Sequence, residues 1–192
     1  ILGDDNNAKE IFKSCKNALI TVGQIKSSRV RINLFTKYKD IGFKFPFIFS
    51  KTSVISKNAR IGEGTIIMHK VFVNSNVKIG KNCHLNPYAF LDLVYPELIT
   101  LEDNVTLGSY SMLFAHSNPT ANIFLKQGDY PRKIGEIKIK SGAVINPGAV
   151  ITAGVTIGKN SIISPNSLVS HDIPDYSVVV GNPGRVIKKI DH

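Results

Sequence analysis

IKSGAVINPGAVITAGVTIGKNSIISPNSLV, residues Ile139–Val169, decides how the rest of the chain is read. Every sixth residue is a large aliphatic: Ile139, Ile145, Ile151, Ile157, Ile163 and Val169. Four residues after each of the first five stands a small one: Ala143, Ala149, Val155, Ser161 and Ser167. The period is neither the 3.6 of a helix nor the 2 of a long strand, and fixed self-similarity of this kind marks a solenoid. Each hexad is then a short strand and its turn. The aliphatic side chain points into a shared core, the small residue sits where the chain bends, and neither is buried until the next coil stacks on it.

The same phase extends back through Ile55, Ile61, Ile67, Val73, Ile79, Leu85 and Leu91, with Ala59, Thr65, Val71, Val77, Cys83 and Ala89 as the small partners. It fails twice. After Leu91 the next aliphatic is Leu101, so extra residues within Asp92–Glu97 (DLVYPE) bulge from a corner before the phase resumes through Leu107 and Leu113. After Leu113 the break is longer: HSNPTANIFLKQGDYPR, His116–Arg132, carries two prolines and a Gly-Asp pair, and a loop over 116–136 is expected. Long excursions from a compact scaffold are commonly functional, which draws attention to His116 at the loop's root.

Residues 1–48 do not follow the period. They read as a small α/β segment: a helix over Asn7–Asn17, an apolar strand over Ala18–Gly23, and a helix over Ser27–Ile41 with Ser27 or Ser28 as N-cap and Gly42 just past its end. A strand running into Gly23 and a helix start offers backbone N–H groups to a phosphate, although many such glycines serve only the turn. Three parts follow: this segment, a solenoid over 49–175, and a strand with a basic tail over 176–192. The tail places Arg185, Lys188 and Lys189 near a final helical turn.

In 192 residues there is no apolar run of membrane-spanning length. Of the two cysteines, Cys15 and Cys83, the second falls on a ladder position and reads as a buried thiol of a reducing, cytoplasmic protein. The net charge of +10 comes from lysines spread over the turns, not from one block with interleaved aromatics. That pattern argues against nucleic acid and favours small polyanions such as nucleotides and phosphorylated cofactors.

RIGEGT, KIGKNC, TLGSYS and TIGKNS resemble the repeats of the hexapeptide acyltransferases. That resemblance implies a left-handed parallel β-helix that assembles as a homotrimer with active sites between subunits. The closing segment, VTIGKNSIISPNSLVSHDIPDYSVVVGNPGRVIKKI, is similar to the end of coenzyme A-dependent sugar and antibiotic O-acetyltransferases. It implies coenzyme contacts from Asn146, Pro147, Pro165, Ser170, Arg185 and Lys188, the two prolines offering only carbonyls. DLVYPELITLEDNVTLGSYSMLFAHSNP resembles the segment that carries the family's catalytic histidine, which implies that role for His116. Some members have a second histidine two residues on, where this chain has Asn118.

ILGDDN and ALITVGQIKSSRVRINLF resemble the nucleotide-sugar-binding part of the sialic-acid O-acetyltransferase and bacillosamine N-acetyltransferase group. Asp5, Gly23 and Arg29 match positions that hold uridine and phosphates there. That group's first Gly-rich βα unit is not seen here, and its histidine falls one coil earlier, where this chain has Phe90, Leu91 and Asp92.

Acyl transfer from acetyl-CoA needs a base, a donor for the developing oxyanion, and positioning of both substrates. A neutral imidazole at His116 fits the first, and a backbone N–H near Ser141 or Gly142 the second. Asp92 on the corner bulge orients His116 or the acceptor hydroxyl, or is an exposed turn aspartate, the commoner role at such a place. The expected activity is acetylation of a sugar hydroxyl or amine, the sugar being nucleotide-linked. The alternatives are a small free hydroxyl acceptor, a γ-type carbonic anhydrase and a non-catalytic scaffold. The anhydrase would need three histidines about a zinc, and His116 has no histidine within five residues, so no metal is expected.

Overall fold

The computed structural model describes residues 4, 6–22, 29–118, 121–128 and 130–191, in two compact units, Ile1–Pro46 and Phe47–His192. In the second unit every hexad contributes a strand of two or three residues, and successive strands fall on three parallel sheets in turn. The first sheet stacks Ile48–Phe49, Ile66–Ile67, His84–Leu85, Thr106–Leu107, Val144–Ile145, Ile162–Ile163 and Ser177–Val180. The second stacks Val54–Ile55, Phe72–Val73, Phe90–Leu91, Met112–Leu113, Val150–Ile151 and Leu168–Val169. The third stacks Arg60–Ile61, Lys78–Ile79, Ile99–Leu101, Ile137–Ile139 and Thr156–Ile157. This is the expected β-helix of hexapeptide repeats.

The ladder residues form its core. Ile67, Leu85, Leu107 and Ile145 lie one above another with no more than 1% exposure, and the small partners Thr65, Cys83, Val105 and Ala143 are sealed beside them. Burial pushes the Cys83 thiol up to about 11, so it stays protonated and bonds through Sγ to the Glu102 carbonyl. The second place of the hexad favours glycine because coils touch there: a Cβ on Gly62 would lie 2.5 Å from the Gly80 carbonyl carbon.

Register records both interruptions. Ile67 lies opposite Leu85, a step of 18 residues; Leu85 opposite Leu107, a step of 22; and Leu107 opposite Ile145, a step of 38. The first excess is the bulge after Leu91, closed by a 3-10 turn at Pro96–Leu98. The second is the loop after Leu113. Both leave from the corner between the second and third sheets.

The first unit holds α1 (Ala8–Ser14) and α2 (Arg29–Ile41), with Gly42 at φ +107 just past α2. Ala8, Ile20, Phe43 and Phe45 are its buried centre, and Phe12 and Tyr38 meet Phe43 edge-on. Instead of forming a strand, Ala18–Val22 is held by the Ala18 N–H, which donates to the Lys44 carbonyl at 2.9 Å beside the Asn17–Lys44 bridge, and by the Arg31 guanidinium, which donates to the Ile20 carbonyl at 2.5 Å and the Val22 carbonyl at 3.2 Å. Gly23, Ser27 and Ser28 lie outside the described residues.

At the other end of the chain, the expected helical turn is a strand, Arg185–Lys189, antiparallel to Ser177–Val180. The open edge of Ser177–Val180 supplies main-chain partners that a helical turn would leave unused. Beneath it, Asp175 accepts from the Lys159 N–H at 2.8 Å and the Lys140 ammonium at 3.2 Å, and these hold its carboxyl below the usual range. A depressed carboxylate stabilises the fold above its unfolded pKa, ~3.9, and loses that effect as pH falls through the folded value. Asp175→Asn is therefore expected to lower the urea midpoint at pH 6, with the two curves merging near pH 2; a constant gap would rule the linkage out.

Candidate active site

The bulge and the loop are joined by one carboxylate. Asp92 is 1% exposed, so it is not the exposed turn aspartate that its corner position suggested. Its Oδ1 accepts from the N–H groups of Val94 at 2.7 Å and Tyr95 at 3.2 Å, which folds the bulge around it. Its Oδ2 accepts from the His116 main-chain N–H at 3.1 Å and from the His116 ring Nδ1 at 2.5 Å. Four donors on two oxygens make the group an acceptor only, which assigns the proton of the imidazole to Nδ1. Nε2 is left with a lone pair and no hydrogen-bond partner among the described residues, on a side chain 22% exposed. Such a histidine is held in one tautomer, with its basic nitrogen turned outward.

The loop's neck sets the ring's position. His116–Ser117 pairs antiparallel with Lys133–Ile134, and the Gly135 N–H donates to the Ala115 carbonyl at 3.0 Å. The Tyr95 ring meets the imidazole edge-on at 5.5 Å, and the Arg132 guanidinium lies over the Tyr95 ring at 4.9 Å. Both contacts depend on pairing across the two insertions, and neither residue was singled out from the sequence. Beyond the neck the loop makes a short helix, α3 (Ile123–Gln127), capped by Asn122 and exposing Phe124.

Gly142 does not reach this site. It lies at the corner between the third and first sheets, and its N–H is taken by the Asp103 carbonyl at 2.9 Å. The Ser141 N–H is also taken, by Glu102 Oε2 at 3.0 Å. Burial raises the Glu102 pKa, but bonds from Ser141 and Lys138 outweigh it and hold the carboxyl below its usual range.

The open N–H is on Gly154. Other residues at turn positions donate to the coil before, as Gly148 does to Ser109 and Asn160 to Ser141. For Gly154 the preceding corner has left the stack as the loop, and its N–H has no partner among the described residues. Leu113 lies opposite Ile151, so three residues on from that pair His116 and Gly154 share a corner. Its φ is +85 and no atom lies within 4 Å of an added Cβ, while Gly135 packs closely on the other side, where a Cβ on Gly135 would come within 2.6 Å of the Gly154 nitrogen. The sequence signal was a glycine one coil beyond the loop.

The other predicted contacts are dispersed. Asn146, Pro147 and Pro165 line the corner between the first and second sheets, where the Pro147 carbonyl accepts from Asn166 at 3.0 Å. Ser170 is exposed on the His116 corner, while Arg185 and Lys188 are exposed on the last strand. Arg29 opens α2 and is exposed; Asp5 and Gly23 lie outside the described residues. No group of three or more His, Cys, Asp or Glu side chains placed to hold a metal occurs among the described residues. Nor is any helix there long and apolar enough to cross a membrane.

The bacterial transferase hexapeptide family (six repeats) matches residues 58–92 and 136–171. A search of curated proteins by sequence found no match. Among solved structures, a variant of GDP-perosamine N-acetyltransferase from Caulobacter crescentus, in complex with CoA and GDP-perosamine, is similar at TM-score 0.70 and 23% identity, over 97% of this chain and 77% of that one. The acetyltransferase domain of PglB from Neisseria gonorrhoeae, in complex with acetyl coenzyme A, is similar at TM-score 0.69 and 21% identity, over 93% and 76%. A variant of AntD, an N-acyltransferase from Bacillus cereus in complex with dTDP and coenzyme A, gives TM-score 0.66 and 23% identity, over 82% and 89%. At these identities the likeness is one of fold.

Removing the shared carboxylate leaves several donors without acceptors. Asp92→Ala is expected to destabilise the protein by ~1–3 kcal/mol in urea unfolding, against less than ~0.5 kcal/mol for an ordinary surface aspartate.

Proposed function

We propose that this chain, a member of the hexapeptide-repeat superfamily, is an acetyl-CoA-dependent acyltransferase that acetylates a hydroxyl or amine of a nucleotide-linked sugar in glycan or surface-polysaccharide synthesis. The observation that carries the reading is the buried Asp92–His116 pair at the corner where both insertions leave the ladder. A GDP-perosamine N-acetyltransferase of the same fold, in complex with CoA and its nucleotide sugar, supports the substrate class.

His116 acts as general base. The acceptor passes its proton to Nε2 as its oxygen or nitrogen attacks the thioester carbonyl carbon, while Asp92 keeps the ring in the Nδ1–H tautomer and faces the imidazolium that forms. Charge on the carbonyl oxygen is met by the Gly154 N–H, which replaces Gly142 in that role. When the C–S bond breaks, the imidazolium returns the proton to the departing thiolate.

Ser170 lies on the same corner, further along the stack. Asn146, Pro147 and Pro165 lie on the opposite edge of the second sheet, with Arg185 and Lys188 suited to the coenzyme's phosphates. A coenzyme touching both edges is best accommodated where two copies meet, hence a homotrimer with shared sites. In the first unit, Asp5, Gly23 and Arg29 hold the nucleotide of the sugar substrate. The setting is cytoplasmic, where acetyl-CoA is made, and no metal takes part.

His116→Ala is expected to lower acetyl transfer at least ~100-fold with the circular dichroism spectrum unchanged; turnover that survives with every acceptor would remove the proposed base. In thermal-shift titrations with UDP- and CMP-sugars, Arg29→Ala is expected to reduce the stabilisation seen with the preferred one. Equal shifts in the two proteins would detach the first unit from nucleotide binding and favour a small free hydroxyl compound as acceptor.

A further inference from the structure

The corner between the first and second sheets carries a column of residues in the left-handed backbone region. Main-chain bonds link it rung to rung: the Tyr88 N–H donates to the His69 carbonyl, Tyr110 to Pro87, Gly148 to Ser109 and Asn166 to Pro147. Among the described residues such positions belong to asparagine or glycine, with the exceptions Lys70, Tyr88, Tyr110 and Tyr176. Three of those four are consecutive rungs of this one column. A bulky aromatic at φ 62 (Tyr88) or φ 58 (Tyr110) is a genuine outlier, and conformational cost of this kind collects at functional sites.

The two rings compensate by stacking. Their centroids are 4.8 Å apart and their planes 2° from parallel, yet the side chains remain 47% and 59% exposed. Neither hydroxyl bonds to any described residue, so the pair does no polar work inside the fold. Gly148, the rung after Tyr110, has no side chain to cover the outer face of that ring. On the other side, the rung before Tyr88 is Lys70, an exposed cation.

We propose that Tyr88 and Tyr110 form a stacking platform for a nucleobase, with Lys70 beside it to meet the phosphates of the same nucleotide. Flat parallel rings offer a π-face that accepts any base, and a neighbouring ammonium supplies the charge that phosphates need. The inference deepens the acetyl-transfer reading, which brings two nucleotides to this chain: the adenosine of the coenzyme and the nucleotide of the sugar acceptor. Its test is a binding measurement that needs no turnover, so it can fail while that reading stands, and the reverse.

The protein has six tyrosines and no tryptophan, so a base stacking on this pair is expected to quench intrinsic tyrosine fluorescence directly. Titrations use CoA, UDP, GDP, dTDP and, as a probe without a base, pantetheine. Tyr110→Asn is expected to weaken the bound nucleotide about tenfold, ~1.4 kcal/mol, while Tyr110→Phe keeps affinity within about twofold. The asparagine variant should melt no lower than the parent, because asparagine tolerates the left-handed region. Lys70→Ala is expected to weaken nucleotides and leave pantetheine unchanged. Loss confined to CoA assigns the platform to the coenzyme's adenine; loss confined to the nucleoside diphosphates assigns it to the sugar's nucleotide and takes that role from Asp5, Gly23 and Arg29. If Tyr88→Asn and Tyr110→Asn bind every nucleotide as the parent does, the platform is wrong.

Discussion

Everything in the solenoid depends on main-chain hydrogen bonds between consecutive coils. A two-residue strand has almost no stability alone, and its one aliphatic side chain is covered only when the coils before and after lie in register. The bonds beside the long loop show how strictly this is kept: Met112 donates to Ala149 and Phe114 to Ile151, on either side of an excursion of some twenty residues. An insertion at a corner, if its ends return to the same rung, disturbs no ladder bond. The two insertions in this chain both obey that rule and both leave from the same corner.

That coincidence gives Asp92 two tasks at once. Its carboxylate closes the bulge through Val94 and Tyr95, and the same group fixes the His116 main chain and ring. The bulge and the loop are therefore not independent decorations of the scaffold. Displacing the corner has a second effect one coil further on, where Gly154 loses the carbonyl that other turn residues use. An oriented imidazole and an open N–H thus arise from one local departure from regularity.

The ladder was legible residue by residue because each buried position repeats at a fixed interval, and the inward set from Ile67 to Val169 is sealed as that interval requires. The run Ala18–Val22 misled because apolar character alone does not supply a neighbouring strand. Arg185–Lys189 misled because cations three apart suit a helical turn and an exposed strand equally. The burial of Asp92 was hidden by sequence distance: its partner His116 lies twenty-four residues away across a coil. Gly142 was chosen for having an N–H, but whether an N–H is available depends on the carbonyl of the coil beneath, which no single hexad reveals. Tyr88 and Tyr110 fit the repeat so well that only their backbone angles set them apart.

The last strand has one further consequence. Ser177–Val180 is parallel to the strand before it, and left bare it would present an edge on which another molecule's coil could continue the stack without limit. Arg185–Lys189 runs the opposite way and fills that edge, with Arg185, Lys188 and Lys189 among its five residues. A reversed, positively charged strand at that edge repels its own copies and offers no parallel template. A fold built by repetition thereby carries, in one strand of reversed direction, a check against growing into a fibre along that edge.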